Sequence, residues 1–272
     1  MKKYALRTEH RSIETSSRRM KLIILRPKIQ NPVPGILWIH GGGYMLGMAA
    51  MVHWSKGKML AGRYGAVVVS PEYRLAGKAP YPAALHDCMD ALRYLYRHAE
   101  ELGVDPERII VGGESAGGGL AAAVCLYNRD HDRIPVCMQI PLYPMLDCED
   151  TPSSADNHGK GWNTRRNHRG WSVYLRDLYR TDRVPKYASV SRETDYRGLP
   201  AAYTYVLDGE PFHDETLSYI SSLQEAGVPA HVDVYHGDIH SFDALFWTQN
   251  ARDASAALCR AYEAIVLKGR KQ

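Results

Sequence analysis

The stretch "RIIVGGESAGGGL", residues 108–120, joins a β-branched apolar run to a glycine- and alanine-rich one across Gly113-Glu114-Ser115-Ala116-Gly117. The first run reads as a buried strand, and "SAGGGLAAAVCLYNR" (115–129) continues at helical spacing. A Gly-x-Ser-x-Gly segment set between a strand and a helix describes a nucleophile elbow. So tight a turn leaves no room for a Cβ at the flanking positions, which accounts for Gly113 and Gly117. It lifts the Ser115 hydroxyl above the sheet end, at a helix N-terminus whose dipole favours developing negative charge. Five letters alone are a weak signal, since a glycine-rich turn with an N-cap serine spells the same pattern.

Outward from this turn the chain alternates. "KLIILRP" (21–27), "GILWIH" (35–40), "GAVVVS" (65–70), "PVCMQIPLY" (135–143), "AYTYVL" (202–207) and "AHVDVYH" (230–236) read as further strands. Residues 83–102, 215–227 and 242–267 carry apolar positions at helical spacing. Near-continuous apolar strands separated by helices imply an α/β fold, with a mostly parallel central sheet covered by helices on both faces. Residues 148–200 break the alternation. They are polar, rich in Trp, Tyr and Arg, and interpose a helix or two near 167–180 before the next strand. We read them as a small cap or pocket wall inserted into a single domain spanning 1–272, over the sheet's C-terminal edge where such folds place ligands.

Composition sets the limits. The 272 residues are 45% hydrophobic and 24% charged with a net charge of +4, a balance unlike a nucleic-acid footprint or a disordered tail. No run approaches a membrane span, and charged residues interrupt the N-terminal segment where a signal peptide would need its apolar core. The five cysteines share no metal-ligand spacing, so no metal or cofactor is expected and a reducing cytoplasm is the expected home. Cys125 and Cys137 read as buried thiols. No nucleic-acid or membrane partner is expected, and the exposed edge of the last strand is the place where a homodimer would form.

A second motif supplies what the elbow needs. "HGGGY" (40–44) follows the strand ending at His40. Acyl transfer builds an oxyanion that requires N–H donors already held in place. Glycines let the backbone approach a substrate carbonyl without a side chain in the way. Amides of Gly41, Gly42 and Gly43, joined by that of Ala116, form the expected hole. His40 reads as a brace for this loop.

With these motifs in order, the chain resembles the hormone-sensitive-lipase-like branch of the α/β-hydrolases, in particular bacterial acetyl esterases and carboxylesterases. The likeness extends through "SPEYRLAGKAPYPAALHD" (70–87), "GGESAGGGL" (112–120), "YPMLD" (143–147) and "AGVPAHVDVYHGDIHSF" (226–242). It implies an α/β-hydrolase fold with a small cap, no metal, and a nucleophile, acid and histidine in that chain order. The sequence departs from the branch at "AGKAP" (76–80), at "HSF" (240–242) where His-Gly-Phe is usual, and in a short arm before the first strand.

Two of the twelve histidines, His236 and His240, follow the last strand and suit a general base by position. The resemblance selects His240 through "GDIHSF". For the acid, Asp208 and Glu210 both fall in the loop after the strand ending at Leu207. Asp214 and Glu215 lie where the next helix begins, and capping and the helix dipole explain a carboxylate there. Chemistry alone leaves Asp208 and Glu210 even. Aligned with the branch's Asp-Pro-x-x-Asp-Glu segment, "EPFHDE" (210–215) implies Glu210. The resemblance thus implies a serine carboxylesterase for small esters of acetyl to butyryl length, working through Ser115, Glu210 and His240. Tyr44, Trp162 and Trp171 are candidate pocket residues. The alternatives are a non-catalytic ligand-binding protein of the same fold, as in plant gibberellin receptors, or amidase, thioesterase or lactonase chemistry.

Overall fold

The computed structural model describes residues 3–29 and 32–268. Its strands are β1 (Leu6–Glu14), β2 (Arg19–Pro27), β3 (Val33–Ile39), β4 (Val67–Pro71), β5 (Val104–Glu114), β6 (Met138–Leu142), β7 (Ala201–Leu207) and β8 (Ala230–Tyr235). They form one sheet in the order β1-β2-β4-β3-β5-β6-β7-β8. β2 pairs antiparallel with β1 and β4, and every pairing from β4 to β8 is parallel. The helices are α1 (Lys56–Tyr64), α2 (Ala83–Arg97), α3 (Ala99–Leu102), α4 (Ala116–Asp130), α5 (Pro152–Ala155), α6 (Thr164–Leu175), α7 (His213–Glu225) and α8 (Gln249–Tyr262).

The period of two along each central strand divides the core between the two faces. Leu37 and Ile39 of β3, Val67 and Val69 of β4, and Ile109 and Val111 of β5 join Leu85 and Leu92 of α2, Leu120 and Val124 of α4, and Leu223 of α7. Ile36 and Trp38, Val68 and Ile110 face the other way, against Leu60 and Ala61 of α1 and Leu258 and Tyr262 of α8. Both faces are therefore dry, which is why the inner strands read as unbroken apolar runs.

Three elements differ from the expectation. The run 21–27 is the second strand. β1 precedes it, an edge strand whose alternation of half-buried and exposed residues is filled with charged side chains. α1 was also not anticipated. Its low apolar content hides it, but Ser55 caps its first turn by accepting from the Lys58 amide, and Gly65 ends it at φ 81°. The last helix begins at Gln249 and not at Phe242: Phe242–Ala244 form a 3-10 turn, and Thr248 caps the helix by accepting from the Ala251 amide. Cys125 is buried as expected, whereas Cys137 is half-buried.

Residues 148–200 add no strand to the sheet. They hold α5, α6 and two 3-10 turns, and they touch the loop after β8 through a bridge between Lys160 and Ile239. Among the described residues no helix is long and apolar enough to cross a membrane.

Candidate active site

β5 ends at Glu114 and α4 begins at Ala116, so a single residue makes the turn. Ser115 adopts φ 57° and ψ −122°, a conformation that L-residues hold only where the surroundings enforce it. Its amide donates to Leu142 O at 2.9 Å, and its carbonyl accepts from Met145 and Gly119. The flanking glycines are obligatory. A Cβ on Gly117 would lie 2.2 Å from Ile39 O, and one on Gly113 would lie 2.3 Å from Gly117 O.

The loop after β8 brings His240 over this turn. His240 Nε2 is 2.9 Å from the Ser115 hydroxyl, and its Nδ1 is hydrogen-bonded to the Glu210 carboxylate. Glu210 is fully buried, and its other oxygen accepts from the Leu207 amide at 2.9 Å. With Nδ1–H donated to Glu210, Nε2 is left to accept the serine proton. Asp208 is elsewhere, bonded to His236, a residue in open solvent. The Gly237 amide and then His236 hold the Asp208 carboxyl below its ordinary range.

Asp214 and Glu215 reach further than capping would take them. Asp214 accepts from the Ser153 amide at 2.8 Å and Glu215 from the Leu146 amide at 2.8 Å, so both tie α7 to the neighbouring segments. Burial pushes the Glu215 carboxyl well up. Phe212 at the N-cap offers no side-chain acceptor, and Ser153 Oγ accepts from the Asp214 amide at 3.1 Å instead.

The glycine loop lies beside the nucleophile. A Cβ on Gly41 would stand 3.3 Å from the Ser115 Cβ, and Gly42 and Gly43 take φ 121° and 59°. His40 is stacked on Tyr73 at 4.1 Å, its Nδ1 is 2.8 Å from Gly41 O, and Tyr73 donates to its carbonyl. Burial lowers the imidazole's pKa, so this ring serves as a neutral strut. Together with the Ala116 amide at the N-terminus of α4, Gly41, Gly42 and Gly43 are the candidate oxyanion donors.

Of the three aromatic candidates, Tyr44 and Trp171 belong to the packed layer beneath this loop. Tyr44 donates to Met145 O at 2.9 Å and stacks on Tyr174, with Trp171 at 5.4 Å. Trp162 lies beside the reacting groups, its ring centroid 6.3 Å from that of His240.

A further set of residues gave no signal in the sequence. Asp243 accepts from Tyr143 Oη at 2.8 Å and from Tyr205 Oη at 2.6 Å, and pairs with Lys56 Nζ at 3.3 Å. Tyr143 also presents its ring edge-on to His240 at 5.1 Å. This buried latch fastens the histidine loop to the ends of β6 and β7. Ser241, standing where relatives of the branch carry glycine, takes φ 62° at the start of the latch. Among the described residues no group of three or more His, Cys, Asp or Glu side chains is placed to hold a metal ion.

The model of a family described as alpha/beta hydrolase fold matches residues 36–244. Esterase LipI of Mycobacterium tuberculosis is 32% identical over 214 residues, spanning 78% of this chain and 67% of its own. Arylesterase of Saccharolobus solfataricus is 30% identical over 213 residues, spanning 76% and 67%. A solved structure described as bacterial heroin esterase superposes with a TM-score of 0.90 at 34% identity, over 96% of this chain and 84% of that one.

Proposed function

The chain belongs to the α/β-hydrolase fold family, and on that premise we propose that it hydrolyses short-chain carboxylic esters through an acyl-enzyme on Ser115. It is a carboxylic ester hydrolase, as its similarity to the named esterases gives. The observation that carries the finer reading is the unbroken hydrogen-bonded chain Ser115–His240–Glu210.

In this reading Ser115 Oγ attacks the ester carbonyl carbon while His240 Nε2 takes its proton. The carbonyl oxygen becomes an oxyanion held by the Gly41–Gly43 and Ala116 amides. As the intermediate collapses, the C–O bond to the alcohol breaks and the imidazolium gives its proton to the departing oxygen. Water then enters, loses a proton to His240 and attacks the acyl carbon. Collapse of the second intermediate returns Ser115 and releases the acid. Glu210 fixes the imidazole tautomer and stabilises its cation.

Residues 148–200 supply the pocket wall in this reading, with Trp162 facing the reacting groups. Acetyl to butyryl esters are the expected substrates. The test is hydrolysis of p-nitrophenyl acetate, butyrate, octanoate and palmitate by the wild type and by Ser115→Ala. Turnover that falls with chain length and vanishes in the variant supports the reading. Turnover that persists in Ser115→Ala overturns it.

A further inference from the structure

One short segment of the 148–200 insertion reaches three of the loops that bear the candidate site: those of the acid, the histidine and the glycine run. Asn157 Nδ2 donates to Gly209 O at 3.1 Å, in the loop of the acid. The Lys160 amide donates to Asp238 O at 2.8 Å, and Lys160 O accepts from the His240 amide at 2.9 Å, which straps the histidine loop. Trp162 then lays its indole on Gly43 of the glycine loop. The contact is so close that a Cβ on Gly43 would fall 2.1 Å from the ring's Cη2. Glycine at 43 is thereby explained twice, by its φ of 59° and by the indole that occupies the side-chain position.

The indole is held in place. Its Nε1 donates to Asn167 Oδ1 at 3.3 Å, from a buried asparagine on α6. Gly170, one turn along, brings α6 close to both Cζ2 of the ring and Gly43 O. Phe212, fully buried, adds a second wall, 5.2 Å from His240 and 6.4 Å from Trp162 between ring centroids. Trp162 itself is 9% exposed, so it is a packed partition and not a swinging lid.

We propose that Trp162 is the residue that sets acyl length, closing the space beside Ser115 so that only short acyl groups fit. This rests on the Ser115 esterase reading. The tetrahedral carbon carries three groups besides Ser115 Oγ: the oxyanion, the departing alcohol and the acyl chain. The alcohol must diffuse away after the first half-reaction, whereas the acyl chain stays bonded to Ser115 until water cleaves it. An enclosed aromatic wall therefore belongs to the acyl group. The strap between Lys160 and His240 is made by the backbone, so replacing the indole leaves it standing.

The test measures kcat/KM on p-nitrophenyl acetate and p-nitrophenyl hexanoate for the wild type, Trp162→Ala and Trp162→Phe. The ratio of hexanoate to acetate is independent of how much enzyme is folded. Pocket methylenes discriminate by roughly tenfold or more, so the ratio should rise by about that factor in Trp162→Ala, with Trp162→Phe in between. An unchanged ratio, with both esters falling together, would show that the indole only supports the fold and would overturn the proposal. So would a shift confined to hexyl against ethyl acetate, which would move Trp162 to the alcohol side. Wild-type turnover unaffected by Ser115→Ala would instead bring down the esterase mechanism, and the gauge with it.

Discussion

The Asp208 carboxylate lies 2.8 Å from Nδ1 of His236, a residue 96% exposed, and not against His240. That pairing holds Asp208 away from His240 and leaves Glu210, buried and bonded to His240 Nδ1, as the candidate acid. Glu210→Gln should therefore lower kcat by about three to four orders of magnitude, as loss of the triad carboxylate does. Asp208→Asn should change it by less than about threefold, since exposed pairs contribute little. Steady-state kinetics on p-nitrophenyl acetate, with thermal melts to confirm folding, reads both. The opposite ranking would reassign the acid.

The latch under His240 gives a stability prediction. Asp243 is 5% exposed and neutralises Lys56 while accepting from two tyrosines. Asp243→Asn leaves a largely buried ammonium without its counter-ion, which should cost about 3 kcal/mol in urea unfolding. Because the latch sits three positions after His240, kcat should fall as well. Tyr143→Phe removes one of the two hydroxyl donors to that buried carboxylate and should cost about 2 kcal/mol.

Glu114 couples stability to pH. Burial, followed by the negative charge of Asp243, raises its carboxyl to about 8, against the opposing pull of the Lys56 amide and charge. The folded chain thus holds a proton that the unfolded chain gives up near pH 4.5. Its contribution is complete below that pH and is lost as pH rises through about 8. The melting temperature should fall between pH 5 and pH 9, and Glu114→Gln should flatten that fall. Parallel slopes for wild type and variant would contradict the assignment.

The elbow predicts a sharp contrast between two glycines. A Cβ on Gly117 would meet Ile39 O at 2.2 Å and His40 O at 2.4 Å, both backbone atoms that cannot move aside. Gly117→Ala should lose more than about 3 kcal/mol or fail to fold. Gly77→Ala, with nothing within 4 Å, should melt within about 0.5 kcal/mol of the wild type.

Whether these features were legible in the sequence follows the range of the forces that make them. The inner strands were, because both faces are buried and the apolar run is continuous. Ser115 and the Gly41–Gly43 run were, because a strand-to-helix turn and a side-chain-free loop restrict residue type locally. β1 was not, since an edge strand is specified by its pairing with β2 and its charged outward positions mask the alternation. Glu210 could not be separated from Asp208 by chemistry alone, because the choice depends on where the loop after β8 places His236 and His240. The Lys56–Asp243 latch joins positions 187 residues apart, and no local pattern announces it. Trp162 stood level with Tyr44 and Trp171 in the sequence, and the structure separates them by burying the latter two beneath the loop.

The central claim is a covalent intermediate on Ser115, and acid quenching tests it most directly. Wild-type enzyme mixed with p-nitrophenyl acetate, quenched within the first turnovers, digested and mass-mapped, should carry one acetyl group on the Ser115 peptide. Ser115→Ala should carry none. Hydrolysis proceeding at the wild-type rate with no acetyl on Ser115, or with acetyl on another residue that turns over competently, would contradict the account.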